Sequence, residues 1–132
     1  MKKNNYSMGK KMHELAKKLW PINRSLTGDG VRQTLLNLKK ICPNLKTLEI
    51  PSGTKVFDWK IPDEWNVKNA WIKGPGNKKI IDFKKNNLHL LGYSIPVHKI
   101  IELKYLKKKL YTIKKKPNAI PYVTSYYTRD WG

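Results

Sequence analysis

The chain has 132 residues, in which 28 Lys+Arg stand against 9 Asp+Glu for a formal charge of +19. The length accommodates one domain, not two large ones, and the composition excludes an acidic tail, a collagen-like repeat and a disulfide scaffold. With 39% hydrophobic residues, five Trp and seven Tyr among them, there is apolar material for a core, which argues against wholesale disorder.

The first predicted element is a helix. Met12, Leu15, Ala16, Leu19 and Trp20 recur at i, i+3, i+4, i+7 and i+8, one face of a 3.6-residue period, with Ser7 as N-cap and Pro21 as the stop. Val31, Leu35, Leu38 and Cys42 repeat that period in a second helix, with Thr27 or Asp29 to cap it and Pro43 beyond. The two are expected to form a hairpin or corner, with Cys42 a small buried hydrophobe.

After Pro43 the period shortens. Residues 45–50, 56–61, 69–73, 79–83 and 88–94 read as short strands. Pro51-Ser52-Gly53, Pro62-Asp63 and Gly74-Pro75-Gly76-Asn77 separate them, the last as a hairpin loop. A last helix is signalled by Leu103, Leu106 and Leu110, and residues 122–127 follow as a strand-like aromatic run.

Cys42 is the single cysteine, so no internal disulfide forms and nothing argues for an oxidising compartment. Met1-Lys2-Lys3 is followed by Asn4-Asn5-Tyr6-Ser7 and Lys10-Lys11, which interrupt any signal-peptide apolar stretch, and no later run reaches transmembrane length. The expected address is cytoplasmic, with no membrane partner.

Candidate chemistry is sparse. Thr27-Gly28-Asp29-Gly30 turns into a helix and could cradle an anion, but it lacks the Gly-Lys-Ser/Thr of a phosphate loop, and Gln33 replaces the third glycine of a dinucleotide fingerprint. A tight helix start with Arg24 pairing locally is the preferred reading. His13, His89 and His98 have no metal-ligand spacing, and Asp58, Asp63, Glu64 and Asp82 read as turn and surface carboxylates. No catalytic or metal residue is assigned, no cofactor is assigned to this chain, and no substrate-binding residue is identified.

The basic residues are 25 Lys and three Arg, Arg24, Arg32 and Arg129. A dispersed Lys excess lacks the bidentate fork favoured for phosphate and base contacts. Trp59, Trp65, Trp71, Phe83 and Tyr93, interleaved with Lys55, Lys60, Lys68 and Lys73, mimic a single-strand-binding sheet, yet inward-facing core is the preferred reading and no specific nucleic-acid partner is expected.

Longer blocks carry a resemblance. Leu19-Trp20-Pro21-Ile22-Asn23-Arg24-Ser25-Leu26-Thr27-Gly28-Asp29-Gly30 through Leu35 is similar to the opening of a bacterial family of aminopeptidase-like domain proteins, relatives of the zinc-dependent exopeptidases. Val56-Phe57-Asp58-Trp59 with Pro62-Asp63-Glu64-Trp65, Ile81-Asp82-Phe83 to His89, Gly92 to Val97, and Ala119 to Tyr122 with Ser125 to Trp131-Gly132 follow in the same order.

The resemblance implies an α+β chain: two N-terminal helices of a larger α/β zinc-exopeptidase-like core, then a small, mostly antiparallel β domain with one helix. It divides the chain into residues 1–46 of the core, a small β-rich inserted domain of unknown function at 47–121, and a return into the core at 122–132. It further implies an N-terminal fragment of a zinc-dependent aminopeptidase-like hydrolase, inactive alone, whose partner is the remainder of its own catalytic domain. Zinc belongs to the full-length family, and the substrate would be a peptide or an amide-bearing molecule, including an amide or acyl group on a sugar. The alternatives are a basic nucleic-acid-binding module and a noncatalytic interaction domain. Any binding to DNA or RNA should be sequence-independent and fall steeply with salt, because dispersed Lys releases counterions without reading bases. Titration at low and physiological salt checks this, and tight sequence-selective binding at physiological salt would promote the nucleic-acid reading.

Overall fold

The computed structural model describes residues 3–126 and 128–132, with residues 3–6 described by their backbone alone. The fold class is α+β: three helices and two small antiparallel sheets. The described residues divide into two units, Met1–Asn66 and Val67–Gly132.

In the first unit, α1 spans Lys3–Leu19. It begins earlier than its apolar period predicts, so Ser7 lies inside the helix and not at its N-cap. It ends where predicted, before Pro21, and the Arg24 guanidinium donates to the Leu19 carbonyl at 2.7 Å, satisfying an acceptor that the helix end leaves open. α2 spans Asp29–Lys39. Cys42 follows it, its N–H donating to the Leu38 carbonyl at 2.9 Å, and it is exposed, not buried. The apolar period continues past the helix end, but no described element packs over that exit. Nor does a broad contact join α1 to α2 among the described residues, so the expected helix hairpin is absent.

The stretch predicted as a strand at 45–50 is irregular. Its alternation has no partner edge, and Leu48 and Ile50 point into solvent. Residues 56–61 resolve into a tight hairpin. β1 (Lys55–Val56) pairs antiparallel with β2 (Trp59–Lys60) across the two-residue turn Phe57-Asp58, with Phe57 at φ 53°.

The second unit opens on β3 (Trp71–Lys73) and β4 (Lys79–Asp82), paired antiparallel in register Trp71 to Asp82 and Ile72 to Ile81. The hairpin loop lies at 74–77 as predicted. Asn77 takes the left-handed conformation at φ 58° and its N–H donates to the Gly74 carbonyl, a position Asn tolerates better than most residues. Residues 87–89 form a 3₁₀ turn where a strand was expected. Asn86 diverts the chain, because its side chain accepts from the Leu88 N–H at 3.0 Å, an Asx-type turn that competes with extension. The predicted last helix is one α turn, α3 (Leu103–Leu106), followed by a 3₁₀ turn at Lys107–Lys109.

The predicted aromatic strand at 122–127 is reduced, among the described residues, to one parallel bridge between Gly92 and Thr124; Tyr127 lies outside them. Around that bridge the Gly92 carbonyl accepts from the Ser125 N–H at 2.9 Å and the Ser125 hydroxyl at 3.1 Å. The Leu91 N–H donates to the Gly132 carbonyl and the Ile95 N–H to the Asp130 carbonyl, both at 3.0 Å. Tyr93 meets Tyr126 edge to face, centroids 4.9 Å apart.

No hydrophobic side chain is buried among the described residues. The accessible surface is 11980 Å², whereas even two separate compact bodies of half the mass each would expose about 8,700 Å². On α1, Met12 and Trp20 are 66% and 75% exposed.

Two glycines respond to substitution in opposite directions. A Cβ on Gly30 would lie 1.8 Å from the Asn23 carbonyl oxygen, while one on Gly9 meets nothing within 4 Å. Gly30→Ala should therefore free the loop before α2 and cost about 2–4 kcal/mol of local stability. Gly9→Ala should raise the helicity of α1, with a gain of about 1 kcal/mol. Circular dichroism with amide hydrogen exchange on each variant checks the pair; unchanged protection at Val31 and Arg32 in Gly30→Ala would contradict the packing described.

Candidate functional site

The most elaborated local geometry is the start of α2. Gly28 occupies the N-cap at φ 137° and provides no side-chain cap, and its own carbonyl accepts from the Val31 and Arg32 N–H groups at 3.1 and 3.2 Å. Neither Thr27 nor Asp29 caps the helix as predicted. The Thr27 hydroxyl is buried without a hydrogen bond among the described residues, and Asp29 lies in the first turn, where its carboxylate pairs with Arg32 at 3.1 Å.

The cap comes from far along the chain. The Asn66 side-chain oxygen accepts from the Asp29 N–H at 2.8 Å, doing for the exposed helix end what a local Asn or Ser does elsewhere. The Ser25 hydroxyl lies within bonding distance of the Thr27 and Trp65 carbonyls, 3.1 Å from the latter. Arg32 forks onto Glu64, Nη1 donating to Oε2 at 3.0 Å and Nη2 to Oε1. A Cβ on Gly28 would fall 2.7 Å from the Asn66 oxygen and 3.1 Å from the Trp65 carbonyl, so the approach of residues 64–66 requires glycine there.

This arrangement places the helix-start N–H of Asp29 on a protein side chain and not on a ligand. The preferred reading of Thr27-Gly28-Asp29-Gly30 as a structural turn agrees with it, as does the local pairing of Arg24.

The remaining candidates are dispersed. His13 is exposed on α1 and His98 lies in an exposed irregular segment. His89 is exposed at the end of the 3₁₀ turn, its Nε2 3.3 Å from the Asn86 amide nitrogen. Asp58 is at the β1–β2 turn. Asp82 pairs with Lys79 at 2.9 Å and accepts from the Lys84 N–H, and these contacts, the Lys79 hydrogen bond foremost, hold its pKa below the usual carboxylate range. Among the described residues no three His, Cys, Asp or Glu side chains gather as a metal site. The aromatic and basic residues read as a possible binding sheet are split between separate two-stranded sheets, Trp59 on β2 and Trp71 on β3. No described helix is long and apolar enough to cross a membrane.

Sequence reading took Glu64 for a turn or surface carboxylate and did not single out Asn66. They lie 32 and 37 positions from their partners, outside any local capping pattern. Glu64 has its pKa lowered, first by the Arg32 hydrogen bond. A carboxylate with a depressed folded-state pKa stabilises the fold above its unfolded pKa, and that contribution disappears as pH falls through the folded value. Protection of the Asp29 amide should therefore decline on acidification below the ordinary carboxylate range. In Glu64→Gln it should already be reduced at neutral pH, and its acid dependence flattened. Hydrogen exchange across that pH window checks this, and identical profiles for the two proteins would remove Glu64 from the clamp.

Comparison with known proteins supplies a frame for this geometry. A "Putative polysaccharide biosynthesis protein with aminopeptidase-like domain" from Clostridium acetobutylicum is 48% identical over 129 residues, covering 98% of this chain and 30% of the relative. A solved structure described as a "putative peptidase" from Clostridium acetobutylicum aligns with a TM-score of 0.91 and 47% identity, over 98% of this chain and 32% of that one. The chain thus spans about a third of the length of these relatives. Residues 64–132 match the family described as Domain of unknown function (DUF2172), and the chain belongs to that family.

Proposed function

We propose that this chain is the N-terminal structural portion of a zinc-dependent aminopeptidase-like hydrolase. In this reading residues 1–46 and 122–132 belong to the hydrolase core, and the inserted β-rich domain lies at 47–121. The observation that carries the proposal is the combination of whole-chain similarity to one third of a longer peptidase-like protein with apolar helix faces that stay partly open among the described residues, Leu15, Leu19, Leu35 and Leu38 half-buried and Trp20 and Leu36 exposed. Leu15, Leu19 and Trp20 on α1, and Leu35, Leu36 and Leu38 on α2, are then the faces that pack on the remainder of the catalytic domain. Covering them would recover a hydrophobic contribution of about 25 cal/mol per Å² of apolar surface.

The histidines and carboxylates described above do not fit a zinc site, so zinc and its ligands would come from that remainder, and no reaction step is assigned to this chain. Its residues position: the Arg32–Glu64 and Asn66–Asp29 contacts fix where α2 starts and hence where its apolar face lies. The substrate would be peptide or amide-bearing, in a cytoplasmic enzyme. The description of the relative as a polysaccharide biosynthesis protein favours an amide or acyl group carried on a saccharide.

The test is to compare the 132-residue chain with a longer polypeptide in which it is joined to the aminopeptidase-like domain. The longer protein should release product from aminoacyl amides or N-acylated sugars, lose that activity to a chelator and regain it with zinc; the 132-residue chain should show none. Leu19→Asp in the longer protein should lower its melting temperature and activity together. Chelator-resistant hydrolysis would overturn the zinc assignment, and full stability of Leu19→Asp would overturn the packing role of α1.

A further inference from the structure

The second unit contains a cleft of about 470 Å³ that none of the contacts described above explains, within the size range of small-molecule sites. Tyr105 and Trp131 line it with Ile100, three lysines, Lys99, Lys108 and Lys109, and one carboxylate, Glu102. The ammonium groups of Lys99 and Lys109 lie 5.0 and 5.6 Å from the Trp131 ring centroid, and that of Lys108 lies 5.8 Å from the Tyr105 ring.

These lysines are not equivalent. Lys109 is neutralised by both carboxylate oxygens of Asp130 at 2.5 Å, and neighbouring Lys104 pairs with Glu102 at 3.1 Å. Lys108 and Lys99 make no ion pair among the described residues, although the charge of Lys99 also acts on the Asp130 carboxylate. A cation over an aromatic ring at an exposed site is attracted by about 0.5–1 kcal/mol, which restrains the side chain but leaves its positive charge available. The cleft thus offers two ammonium groups outside any ion pair, that of Lys108 farther from the Asp130 carboxylate than that of Lys99, beside two aromatic rings and an aliphatic side chain.

We propose that this cleft binds an anionic saccharide unit. Its acid group, carboxylate or phosphate, pairs with Lys99 and Lys108, and the apolar face of its ring rests against Tyr105, Trp131 and Ile100. A simple anion would make no use of the rings, and a neutral sugar would leave both charges unanswered. A single-stranded nucleic acid needs a groove that follows its backbone over several nucleotides, and a lipid surface needs a longer amphipathic helix than the single turn of α3. The choice of a saccharide body rests on the proposed function above; the anionic group follows from the lysines themselves.

Trigalacturonate titrated at physiological salt into the longer polypeptide that joins this chain to the aminopeptidase-like domain tests this by calorimetry and Trp fluorescence, with maltotriose, inorganic phosphate and an oligothymidylate as comparison ligands. Trigalacturonate should bind with a change in Trp emission, and more tightly than the other three. The Lys99→Ala/Lys108→Ala variant should weaken it about tenfold, the Lys99→Arg/Lys108→Arg variant should retain it, and Lys46→Ala/Lys78→Ala, which removes the same charge elsewhere, should leave it unchanged. Absence of binding, an equal loss in Lys46→Ala/Lys78→Ala, or equal affinity for maltotriose or phosphate would overturn the proposal. Tighter, Lys99- and Lys108-dependent binding of the oligothymidylate would overturn it in favour of nucleic acid. Because the readout is binding and not turnover, this result and that of the chelator experiment are independent.

Discussion

The lack of any buried hydrophobic side chain among the described residues governs what this structure can be. A folded domain ordinarily derives its largest favourable term from apolar burial. Here the described residues expose roughly 3,300 Å² more than two separate compact bodies of the same total mass would. The forgone hydrophobic contribution is on the order of tens of kcal/mol, larger than the net stability of a typical domain. Within this chain, order rests on polar joints instead.

Two such joints recur, one in each unit. In the first, residues 64–66 close on the start of α2 through the Glu64 fork onto Arg32 and the Asn66 cap on the Asp29 N–H. In the second, residues 91–95 are gripped by 124–132 through the Gly92, Leu91 and Ile95 backbone bonds, with Lys109 tied to Asp130. Both fix backbone direction without filling a core. In the reading proposed above the apolar faces are covered by the rest of a longer protein, and the match covers nearly all of this chain but about a third of its relatives.

The charge has a parallel logic. Most of the lysines are solvated, but several carboxylates have specific partners, as in Lys79–Asp82, Lys109–Asp130 and Arg32–Glu64. With nine acidic residues for 28 basic ones, pairing necessarily leaves many cations without a counter-charge. Where two lysines outside any ion pair fall beside aromatic rings in a cleft, their position becomes informative in a way that the net charge is not.

The sequence by itself determined the elements whose signals are local. The 3.6-residue period and Pro21 located the end of α1, the period before Pro43 located α2, the turn residues at 74–77 placed the β3–β4 hairpin, and the ordered blocks pointed to an aminopeptidase-like relative. Only the tertiary structure decided features that depend on distant or missing partners. The alternation at 45–50 found no strand to pair with, Gly92 in the run at 88–94 was taken up by Thr124 and Ser125, and Cys42 was left exposed where its period suggested burial. The α2 cap came from Asn66 and not from Thr27 or Asp29. The physical reason is common to these cases: periodicity records which face a segment could bury and which bonds it could make locally, whereas the choice among them is made by contacts between residues separated by 30 or more positions, a scale that no local pattern encodes.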